Sequence, residues 1–538
     1  MQLTMEDMEY NRMAFLAAGY DLPTFDRNAA RRAAYERPAW IHFGPGNLFK
    51  AFPAHAAQKL LNSGRMDTGL IVAEGFDYEI IEKSSRPLDN LSVLVTLHAD
   101  NTMNKTIIAS IVESLILDYD IPPEYNRLKE IFANPSLQMA SFTITEKGYS
   151  LKDSAGVFHP AVAEDLINGP EKPQSYLGKV AALLYHRYQT CQAPIAMVSM
   201  DNCSHNGDLL KNAISTFAKE WCRSELADKG FADYVHDSDK VSFPWSMIDK
   251  ITPRPDPQVA AALASDGMEN LTPVITSHNS YVAPFVNAES VEYLIIEDAF
   301  PNGRPPLEKA GIYFTDAETV DKAEKMKVCT CLNPLHTALA IFGCLLGFER
   351  ISHEMKDEHL RKLVEGLGYT EGLPQVSDPG ILNPKEFLDT VLTKRLPNPF
   401  MPDTPQRIAT DTSQKLAVRF GETMKAYAEK NPKKLKELRY IPFVLAGWLR
   451  YLMAVDDEGK PFELSPDPGA KVALDTIKGY ELNNSPKDLS RLDYLFGNTK
   501  LFGVDLHKIG LADTVKNYFD AMSQGPGCVR TMLKDVTK

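Results

Sequence analysis

The segment "KMKVCTCLNPLHTALAIFG" (325–343) is mostly apolar, yet it contains Lys327, Asn333 and His336. Burying an ammonium, an amide or an imidazole carries a free-energy cost unless the group finds a partner. One reason for such residues is chemical, because a lysine with a pKa lowered by burial can exchange protons and an amide can stabilise a negative oxygen. Each also has a structural interpretation: a surface lysine, a helix-capping asparagine and a hydrogen-bonded core histidine.

Asn333 and Pro334 mark a break in this segment. A residue before proline avoids the helical region, asparagine is a good N-cap, and proline is favoured at the first helical position. One interpretation is a helix that ends near Leu332 and a second that begins at Pro334, and the alternative is a single π-helical turn. Cys329 and Cys331 lack a matching second pair, so we expect buried thiols rather than a zinc site.

A second candidate site is the glycine turn "HFGPGNLF", which follows a predicted strand and precedes a predicted helix. Gly44 would permit the tight bend, and Gly46 would let the backbone approach a pyrophosphate beside Asn47 and Leu48. Phe49 occupies the position where a third glycine is usual, so a turn without nucleotide remains the alternative. The glycine pattern therefore predicts a dinucleotide-binding turn only because a predicted strand precedes it and a predicted helix follows it.

The residues after the glycine turn set two further expectations. Pro53 would break a helix, so the helix is expected to begin near Phe52. The next predicted strand, "TGLIVAE", ends at Glu74. A carboxylate there accepts hydrogen bonds from an adenosine ribose and repels a 2′-phosphate, which favours NAD over NADP, and an ordinary exposed acid is the alternative.

Alternating strands and helices in the first part of the chain would position these residues. Runs such as "LSVLVTLH" and "APIAMVSMDN" predict strands, and "GKVAALLYHRYQT" predicts a helix. This alternation predicts an α/β fold, with a Rossmann-like doubly wound domain over 1–315 that includes a polar N-terminal extension. Helical patterns dominate afterwards, which predicts a mostly α-helical second domain over 316–538. The loop "TSHNSYVAPFVNAES" (276–290) is interpreted as an insertion.

Composition limits the class of protein. The chain has 538 residues, a hydrophobic share of 44% and a formal net charge of −13, which indicate a multidomain globular protein and disfavour nucleic acid as a partner. A small anionic substrate stays possible, because local cations can outweigh the global charge. No long apolar run or basic leader is present, and seven scattered cysteines favour reduced thiols, so we expect no membrane association and a cytoplasmic location.

Several stretches together resemble the polyol-specific long-chain dehydrogenases, the mannitol dehydrogenase family. They are "HFGPGNLFKA", "TITEKGY", "SMDNCSHNG", "SMIDKITP", "EYLIIEDAFPNGRPPLEKAG", "EKMKVCTCLNPLH" and "RIATDTSQK", in the family's order. The resemblance implies two domains, NAD(P) as cofactor, no catalytic metal, a small sugar acid or polyol as substrate, and a monomer; with Glu74, the expected cofactor is NAD. It also implies a catalytic lysine at the start of a helix in the second domain.

The resemblance assigns roles to individual residues. Glu324 precedes Lys327 by three residues, as an acid does in the family, so Lys327 is matched to the base and Glu324 to a proton relay, with a helical ion pair as the alternative. The family has its asparagine and histidine five and eight residues after the lysine. Asn333 and His336 stand six and nine after it, so one extra residue must be accommodated. Asn202 is matched to a second amide donor for the substrate oxygen.

Arg407 and Lys415 occupy positions that the family uses for the substrate's hydroxyl or carboxyl groups. They are eight residues apart, about two helical turns, so both could face one cleft. The alternative is an Arg407–Asp411 pair on a solvated helix. Thr410 stands where the mannitol dehydrogenases have a histidine, which favours reduction of a hexuronate.

The resemblance therefore implies an NAD-dependent reductase that converts a ketohexuronate such as fructuronate into an aldonate such as mannonate. The alternatives are oxidoreduction of mannitol and fructose, reduction of tagaturonate, and a homologue that binds nucleotide without catalysis.

Overall fold

The computed structural model of the chain describes residues 1–483 and 489–538. It divides into a sheet unit, Met1–Leu97 with Thr102–Asp321, and a helical unit, His98–Asn101 with Lys322–Lys538. All the described strands belong to the sheet unit. The sequence pattern placed the domain boundary at 315/316, whereas the compact units divide at 321/322.

The strands of the sheet unit are mostly short. They are β1 (Tyr20–Asp21), β2 (Trp40–Phe43), β3 (Leu70–Glu74), β4 (Ser92–Leu97), β5 (Met103–Ile108), β6 (Ile111–Ile116), β7 (Met139–Phe142), β8 (Ile195–Ser199), β9 (Val241–Ser242), β10 (Ser246–Asp249), β11 (Val274–Ile275), β12 (Tyr281–Val282), β13 (Phe285–Glu289), β14 (Tyr293–Glu297) and β15 (Tyr313–Thr315).

The main sheet contains six parallel strands in the order β6-β3-β2-β7-β8-β9. Numbered along the chain within this sheet, the order is 3-2-1-4-5-6, which is that of the Rossmann fold. The strand order reverses between β2 and β7, and ligands of such sheets bind outside the carboxyl ends of the strands at this point. The predicted doubly wound α/β fold is therefore confirmed.

Side chains of the main sheet alternate between two cores. Ile41 and Phe43 of β2 enter one hydrophobic cluster, and Trp40 of the same strand enters the other. Ile71 and Leu70 of β3 divide in the same way. Because successive side chains of a strand point to opposite faces, a strand covered on both sides reads as a continuous apolar run.

The sheet unit contains twelve complete α-helices among its described residues, and some of them cover both faces of the main sheet. They are α1 (Met5–Tyr10), α2 (Arg12–Ala17), α3 (Arg27–Glu36), α4 (Asn47–Ala51), α5 (Pro53–Asn62), α6 (Pro122–Ala133), α7 (Thr145–Gly148), α8 (Pro160–Asn168), α9 (Tyr176–Thr190), α10 (Asn206–Arg223), α11 (Gly230–His236) and α12 (Pro257–Ser265). Helices α3, α6, α9, α10 and α11 contribute to one cluster, and α4 and α5 contribute to the other.

A second sheet has the order β1-β5-β4-β13, and it corrects one sequence interpretation. Residues 276–290 were expected to form an insertion. Instead Phe285–Glu289 is a fully buried strand that pairs in parallel with β4. Only the preceding part forms a small hairpin, β11–β12. A further sheet has the order β10-β14-β15.

The helical unit consists mainly of short helices. After α13 (Ala317–Met326), which spans the division between the units, they are α14 (Asn333–Leu345), α15 (Ile351–Glu354), α16 (Glu358–Glu365), α17 (Pro384–Thr390), α18 (Pro405–Ile408), α19 (Thr412–Leu416), α20 (Glu422–Lys430), α21 (Pro432–Leu435), α22 (Tyr440–Tyr451), α23 (Lys471–Ile477), α24 (Arg491–Phe496), α25 (Thr499–Phe502), α26 (Ala512–Ser523) and α27 (Cys528–Val536). The predicted helical second half is confirmed.

The centre of the helical unit is α14, which packs against α22. The rings of Phe342 and Phe443 stack with centroids 4.8 Å apart. A Cβ on Gly447 would lie 2.6 Å from Cζ of Phe342, so this glycine permits the close approach of the two helices. The helical stretch Ala317–Leu345 is long and apolar enough to cross a membrane, but 78% of its most apolar window is buried, as in a core helix, so it is weak evidence for a span.

Candidate functional site

The glycine turn lies at the carboxyl end of β2, beside the point where the strand order reverses. Gly44 has φ +99°, and a Cβ there would lie 2.3 Å from the carbonyl oxygen of Thr143, so only glycine fits. Gly46 has an ordinary φ of −72°, and a Cβ there would meet no atom within 4 Å. The first glycine thus makes the bend, and the second leaves open space beside the backbone.

Helix α4 starts directly after this turn, and its start corrects the expectation of a helix beginning near Phe52. Asn47 and Leu48 form the first turn of α4, whose amides have no partner within the helix. Phe52 instead separates α4 from α5, and Pro53 is at the start of α5, where proline is tolerated. Phe49, in place of a third glycine, is buried and stacks on His42 with ring centroids 3.8 Å apart.

Glu74 ends β3, next to the glycine turn in the sheet. It is 6% exposed, and its Oε1 accepts hydrogen bonds from the backbone N–H groups of Phe76 (2.7 Å) and Asp77 (3.2 Å). Burial raises the pKa of the Glu74 carboxyl above its ordinary value, although these amides oppose the rise. The alternative of an ordinary exposed acid is therefore wrong.

The hairpin β11–β12 docks on the turn that follows Glu74. Thr276 Oγ1 donates a buried hydrogen bond of 2.6 Å to Asp77 Oδ2. The ring of His278 lies 4.7 Å from that of Phe76, which is 65% exposed. This part of the 276–290 loop therefore gives the carboxyl edge of β3 an exposed aromatic pair.

Asn202 lies in the exposed turn after β8, at the same edge of the main sheet. The preceding Asp201 is buried and fixes this turn, because its carboxylate accepts hydrogen bonds from Ile144 N (2.9 Å), Thr145 N (3.0 Å) and the Tyr149 hydroxyl (2.6 Å). The matched stretches "SMDNCSHNG" and "TITEKGY" are thus joined through one carboxylate.

Lys327 is the first residue of a π-helical turn, Lys327–Cys331, between α13 and α14. Its carbonyl accepts a hydrogen bond of 3.1 Å from the N–H of Leu332, five residues later. The residue is 3% exposed, so the surface interpretation is wrong. A π-helical turn holds one residue more than an α-helical turn, so this turn offers room for the residue that the resemblance counts as extra between lysine and asparagine.

The start of α14 differs in detail from the predicted cap. Leu332 (φ −128°) is the N-cap residue, Asn333 is already helical, and Pro334 follows it. The side-chain amide of Asn333 forms no hydrogen bond within residues 1–483 and 489–538, so the expected capping role is absent. His336 lies one turn further on the same face, with Nε2 3.3 Å from Oδ2 of Asp403.

Arg407 and Lys415 do not share one helix, which corrects the two-turn interpretation of their spacing. Arg407 is on α18 and Lys415 on α19, and Asp411 between them is left-handed (φ 54°). The expected Arg407–Asp411 pair is also wrong, because Arg407 pairs with Asp403, four residues earlier. His336 and Arg407 outweigh burial and hold the pKa of the Asp403 carboxyl below its usual value.

Two cations near α14 have neutral acceptors. Arg419, which the sequence did not single out, donates through Nη1 to the Thr337 hydroxyl, whose proton goes to the Asn333 carbonyl (2.9 Å). Lys415 Nζ donates to the Thr410 carbonyl at 2.5 Å. Burial lowers the pKa of Arg419 to about 10, and burial with Arg419 nearby lowers that of Lys415.

The basic cluster is defined here as His336, Asp403, Arg407, Lys415 and Arg419. In the described part of the chain, neither Lys415 nor Arg419 forms an ion pair with a carboxylate. Asp411 and Asp467 act on Lys415 without a direct ion pair and oppose the lowering of its pKa, whereas burial alone lowers that of Arg419. Asp403 could have been found from its i, i+4 spacing to Arg407, whereas nothing in the sequence distinguished Arg419.

The remaining predictions concern Glu324, the cysteines and a possible metal site. Glu324 is half-buried on α13, and its role as a proton relay and the alternative of a helical pair with Lys327 both stay predictions. Cys331 is buried, and burial raises the pKa of its thiol to about 12. Among residues 1–483 and 489–538, no group of three or more His, Cys, Asp or Glu side chains could hold a metal ion.

Comparison with known families assigns the two parts of the chain. The family model for the mannitol dehydrogenase Rossmann domain matches residues 38–309, and that for the mannitol dehydrogenase C-terminal domain matches residues 319–523. The chain belongs to the mannitol dehydrogenase family. This membership confirms the predicted family and its class as an oxidoreductase.

Two relatives with similar sequences have names that refer to different substrates. A D-mannonate oxidoreductase of Thermotoga maritima is 49% identical over 538 residues, which cover 100% of this chain and 99% of the relative. A polyol:NADP oxidoreductase of Gluconobacter oxydans is 28% identical and covers 84% of this chain and 86% of its own length.

Solved structures confirm the fold. A substrate-free D-sorbitol dehydrogenase has a TM-score of 0.77 at 24% identity, covering 95% of this chain and 97% of its own. Mannitol 2-dehydrogenase of Pseudomonas fluorescens, solved with NAD and D-mannitol, has a TM-score of 0.69 at 24% identity, covering 100% and 99%.

Proposed function

We propose that the chain is an NAD-dependent oxidoreductase that interconverts a ketohexuronate and an aldonate, with fructuronate and D-mannonate as the first pair to test. The relative named D-mannonate oxidoreductase, 49% identical over the full chain, supports this choice. The proposal goes further than family membership, because named relatives act on polyols as well as on a sugar acid.

The charge balance of the basic cluster carries the proposal. Lys415 and Arg419 are half-buried, and their hydrogen bonds go to a carbonyl and a hydroxyl rather than to carboxylates. Fructose and mannitol bring no charge to such a site. The carboxylate of a hexuronate or an aldonate would compensate it, and hydrogen bonds to charged groups each contribute about 1.5–3 kcal/mol.

The sheet unit supplies the groups that fit the cofactor. The open space at Gly46 and the first-turn amides of Asn47 and Leu48 suit a pyrophosphate beside the bend made by Gly44. Glu74, at the end of β3, favours a ribose hydroxyl over a 2′-phosphate and hence NAD over NADP. The exposed Phe76–His278 pair offers an aromatic surface for the adenine ring.

The helical unit supplies the acid–base chemistry. NAD, when bound, accepts the hydride from the carbinol carbon. Lys327 takes the hydroxyl proton in oxidation and returns it in reduction, and Glu324, three residues earlier, exchanges that proton with solvent. The free amide of Asn333 donates to the substrate oxygen as charge develops there, in the role also proposed for Asn202.

His336 and Arg407 would bind substrate hydroxyl or carboxylate groups. The Asp403 carboxylate lies 3.3 Å from His336 and pairs with Arg407, so it holds both side chains in one orientation. A carboxylate that orients an imidazole and a guanidinium fixes the donors that these groups present to a ligand. A monomer in the cytoplasm remains a prediction, and light scattering on the purified protein tests the monomer.

Steady-state kinetics with NADH and fructuronate, tagaturonate or fructose test the substrate. We expect the highest kcat/KM with fructuronate. In the Lys415→Met variant the value for fructuronate should fall about 10- to 100-fold, as expected for the loss of a charged hydrogen bond. The value for fructose should fall less.

Lys430→Met is the matched control, because Lys430 is an exposed lysine at the end of α20. It should leave kcat/KM unchanged for all three substrates. A higher kcat/KM for fructose than for fructuronate would replace the proposal with the polyol reaction. Measurable NADH binding without turnover of any substrate would favour a non-catalytic homologue.

A further inference from the structure

A continuous chain of hydrogen bonds runs from the interior of the main sheet to the glycine turn. Trp40 Nε1 donates to Ser141 Oγ (2.6 Å), and Ser141 Oγ lies 2.6 Å from Nδ1 of His42. Nε2 of His42 lies 2.9 Å from Thr143 Oγ1, which donates to the Gly44 carbonyl (3.0 Å). Trp40, His42 and Ser141 are at most 1% exposed, so no solvent replaces these bonds.

The register of the sheet explains why these side chains meet. Strands β2 and β7 pair in parallel with His42 opposite Ser141. Trp40 lies two residues before His42, and Thr143 lies two residues after Ser141, so all four side chains share one face. The glycine turn continues directly from β2, which brings Gly44 to Thr143.

The groups at the two ends of this chain of hydrogen bonds determine which atom donates and which accepts at each step. An indole N–H can only donate, and a carbonyl oxygen can only accept. The Thr143 proton therefore goes to Gly44, and Thr143 Oγ1 must accept from Nε2–H of His42. Ser141 Oγ has no other partner among the described residues, so its proton goes to Nδ1.

We infer that His42 is a neutral imidazole in the Nε2–H form and that it is a positioning residue for the dinucleotide-binding turn, an inference that rests on the proposed use of NAD. A charged imidazole would place two donors on Ser141 and leave the serine proton without an acceptor. Burial agrees with this, since it lowers the pKa of His42 well below its ordinary value.

The imidazole connects both sides of the glycine turn. Through Thr143 it holds the Gly44 carbonyl, and the ring of Phe49 on α4 stacks on it at 3.8 Å with an interplanar angle of 5°. The bend and the first turn of the following helix are therefore held by one rigid group. Gly46, Asn47 and Leu48 lie between these two contacts.

Two variants of Thr143 separate the hydrogen bond from simple packing. Thr143→Val keeps the shape of the side chain but removes the hydroxyl, and Thr143→Ser keeps the hydroxyl. We expect the valine variant to weaken NADH binding, measured by NADH fluorescence titration, by about 5- to 100-fold, because it leaves two buried polar groups unpaired. The loss should appear in KM for NADH rather than in kcat, and the serine variant should restore affinity to within about threefold.

Thr216→Val is the matched control, since Thr216 is a half-buried threonine on α10 whose hydroxyl donates a solvent-exposed hydrogen bond to the Asn212 carbonyl. It should not change NADH affinity. The inference is overturned if Thr143→Val binds NADH as tightly as the parent, or if the serine variant loses as much affinity as the valine variant.

Nitrogen NMR of protein labelled with 15N-histidine tests the proton position independently of catalysis. The signal that disappears in His42→Gln should show a protonated Nε2 and an unprotonated Nδ1. A protonated Nδ1, or a charged ring near neutral pH, would overturn the direction of the chain. A parent protein that binds no NADH but shows the Nε2–H form would refute the proposed function while leaving the hydrogen-bond chain intact.

Discussion

The glycine turn and the basic cluster are both polar, but they differ in how their polar groups are satisfied. Around Gly44 the donors and acceptors form a neutral chain, in which each hydroxyl both accepts and donates. In the basic cluster, Lys415 and Arg419 donate to a carbonyl and a hydroxyl, and neither forms a direct ion pair with a carboxylate in the described ranges. The turn therefore satisfies its polar groups internally, whereas the cluster holds two cations that a ligand carboxylate could contact directly.

This difference indicates two ways of preparing a protein for a ligand. A neutral, fully bonded framework fixes the backbone shape and lets the ligand approach it closely. An uncompensated charge is destabilising in the free protein, and a ligand of opposite charge removes that penalty. Substitutions that affect one region and not the other test the comparison directly.

The largest effect is expected at Lys327, outside both regions. Lys327→Met should reduce kcat for the keto substrate about 10²- to 10⁴-fold, the usual contribution of general acid–base catalysis, while NADH affinity stays near that of the parent. Stopped-flow and steady-state measurements with fructuronate provide both values. The control is Lys356→Met, an exposed lysine of the helical unit. Unchanged turnover in Lys327→Met would exclude the proposed acid–base role.

The two glycines of the turn should respond differently to the same change. Gly44→Ala places a Cβ 2.3 Å from the Thr143 carbonyl at a positive φ, so it should destabilise the protein by about 1–3 kcal/mol and also weaken NADH binding. Gly46→Ala meets no atom within 4 Å, so its Tm should stay unchanged while NADH affinity falls at least tenfold. Differential scanning fluorimetry and NADH titration measure both. Equal affinity of Gly46→Ala and the parent would show that the open space is not used by the nucleotide.

A smaller effect is expected at Glu354, a buried carboxyl of the helical unit. It is 0% exposed, neither carboxylate oxygen has a hydrogen-bond partner in residues 1–483 and 489–538, and burial raises its pKa well above the ordinary value. The folded state therefore holds the proton more tightly than the unfolded state. This contribution to stability is complete below the unfolded pKa and is lost as the pH rises towards the folded pKa.

The Glu354→Gln variant should remove that loss. Its Tm relative to the parent should increase as the pH rises from 5 to 8, because glutamine cannot ionise. Glu386→Gln, an exposed residue of α17, should show a flat difference over the same range. A flat difference for Glu354→Gln as well would mean that this carboxyl is ionised in the folded protein.

Much of the sheet unit could be predicted because its signals are local. Apolar runs covered on both faces identify the strands of the main sheet, and Gly44 follows from a bend that other residues cannot adopt. Strand β13 was missed because its partner β4 lies far away in the sequence, and nothing in 276–290 announces that pairing. The chain of hydrogen bonds through His42 was missed for the same reason, since it depends on the register of two strands.

The helical unit was predicted less completely. Helical patterns predicted the helical second half, but the spacing of Arg407 and Lys415 was interpreted as one helix through Asp411, whose left-handed backbone separates them. Aspartate adopts that conformation more easily than most residues, but its presence alone does not predict it. Spacing therefore suggested a shared helical face where the chain in fact changes direction.

Because of the π-helical turn at Lys327–Cys331, an extra residue in the sequence need not change the position of the helix that follows. An inserted residue that is contained within one turn leaves the following helix in its original orientation, so evolution can lengthen this segment without rebuilding what comes after it. Signature patterns that demand a fixed number of residues between the lysine and the asparagine would then overlook chains of this kind. A search that allows one gap at that turn should recover relatives that a rigid pattern rejects.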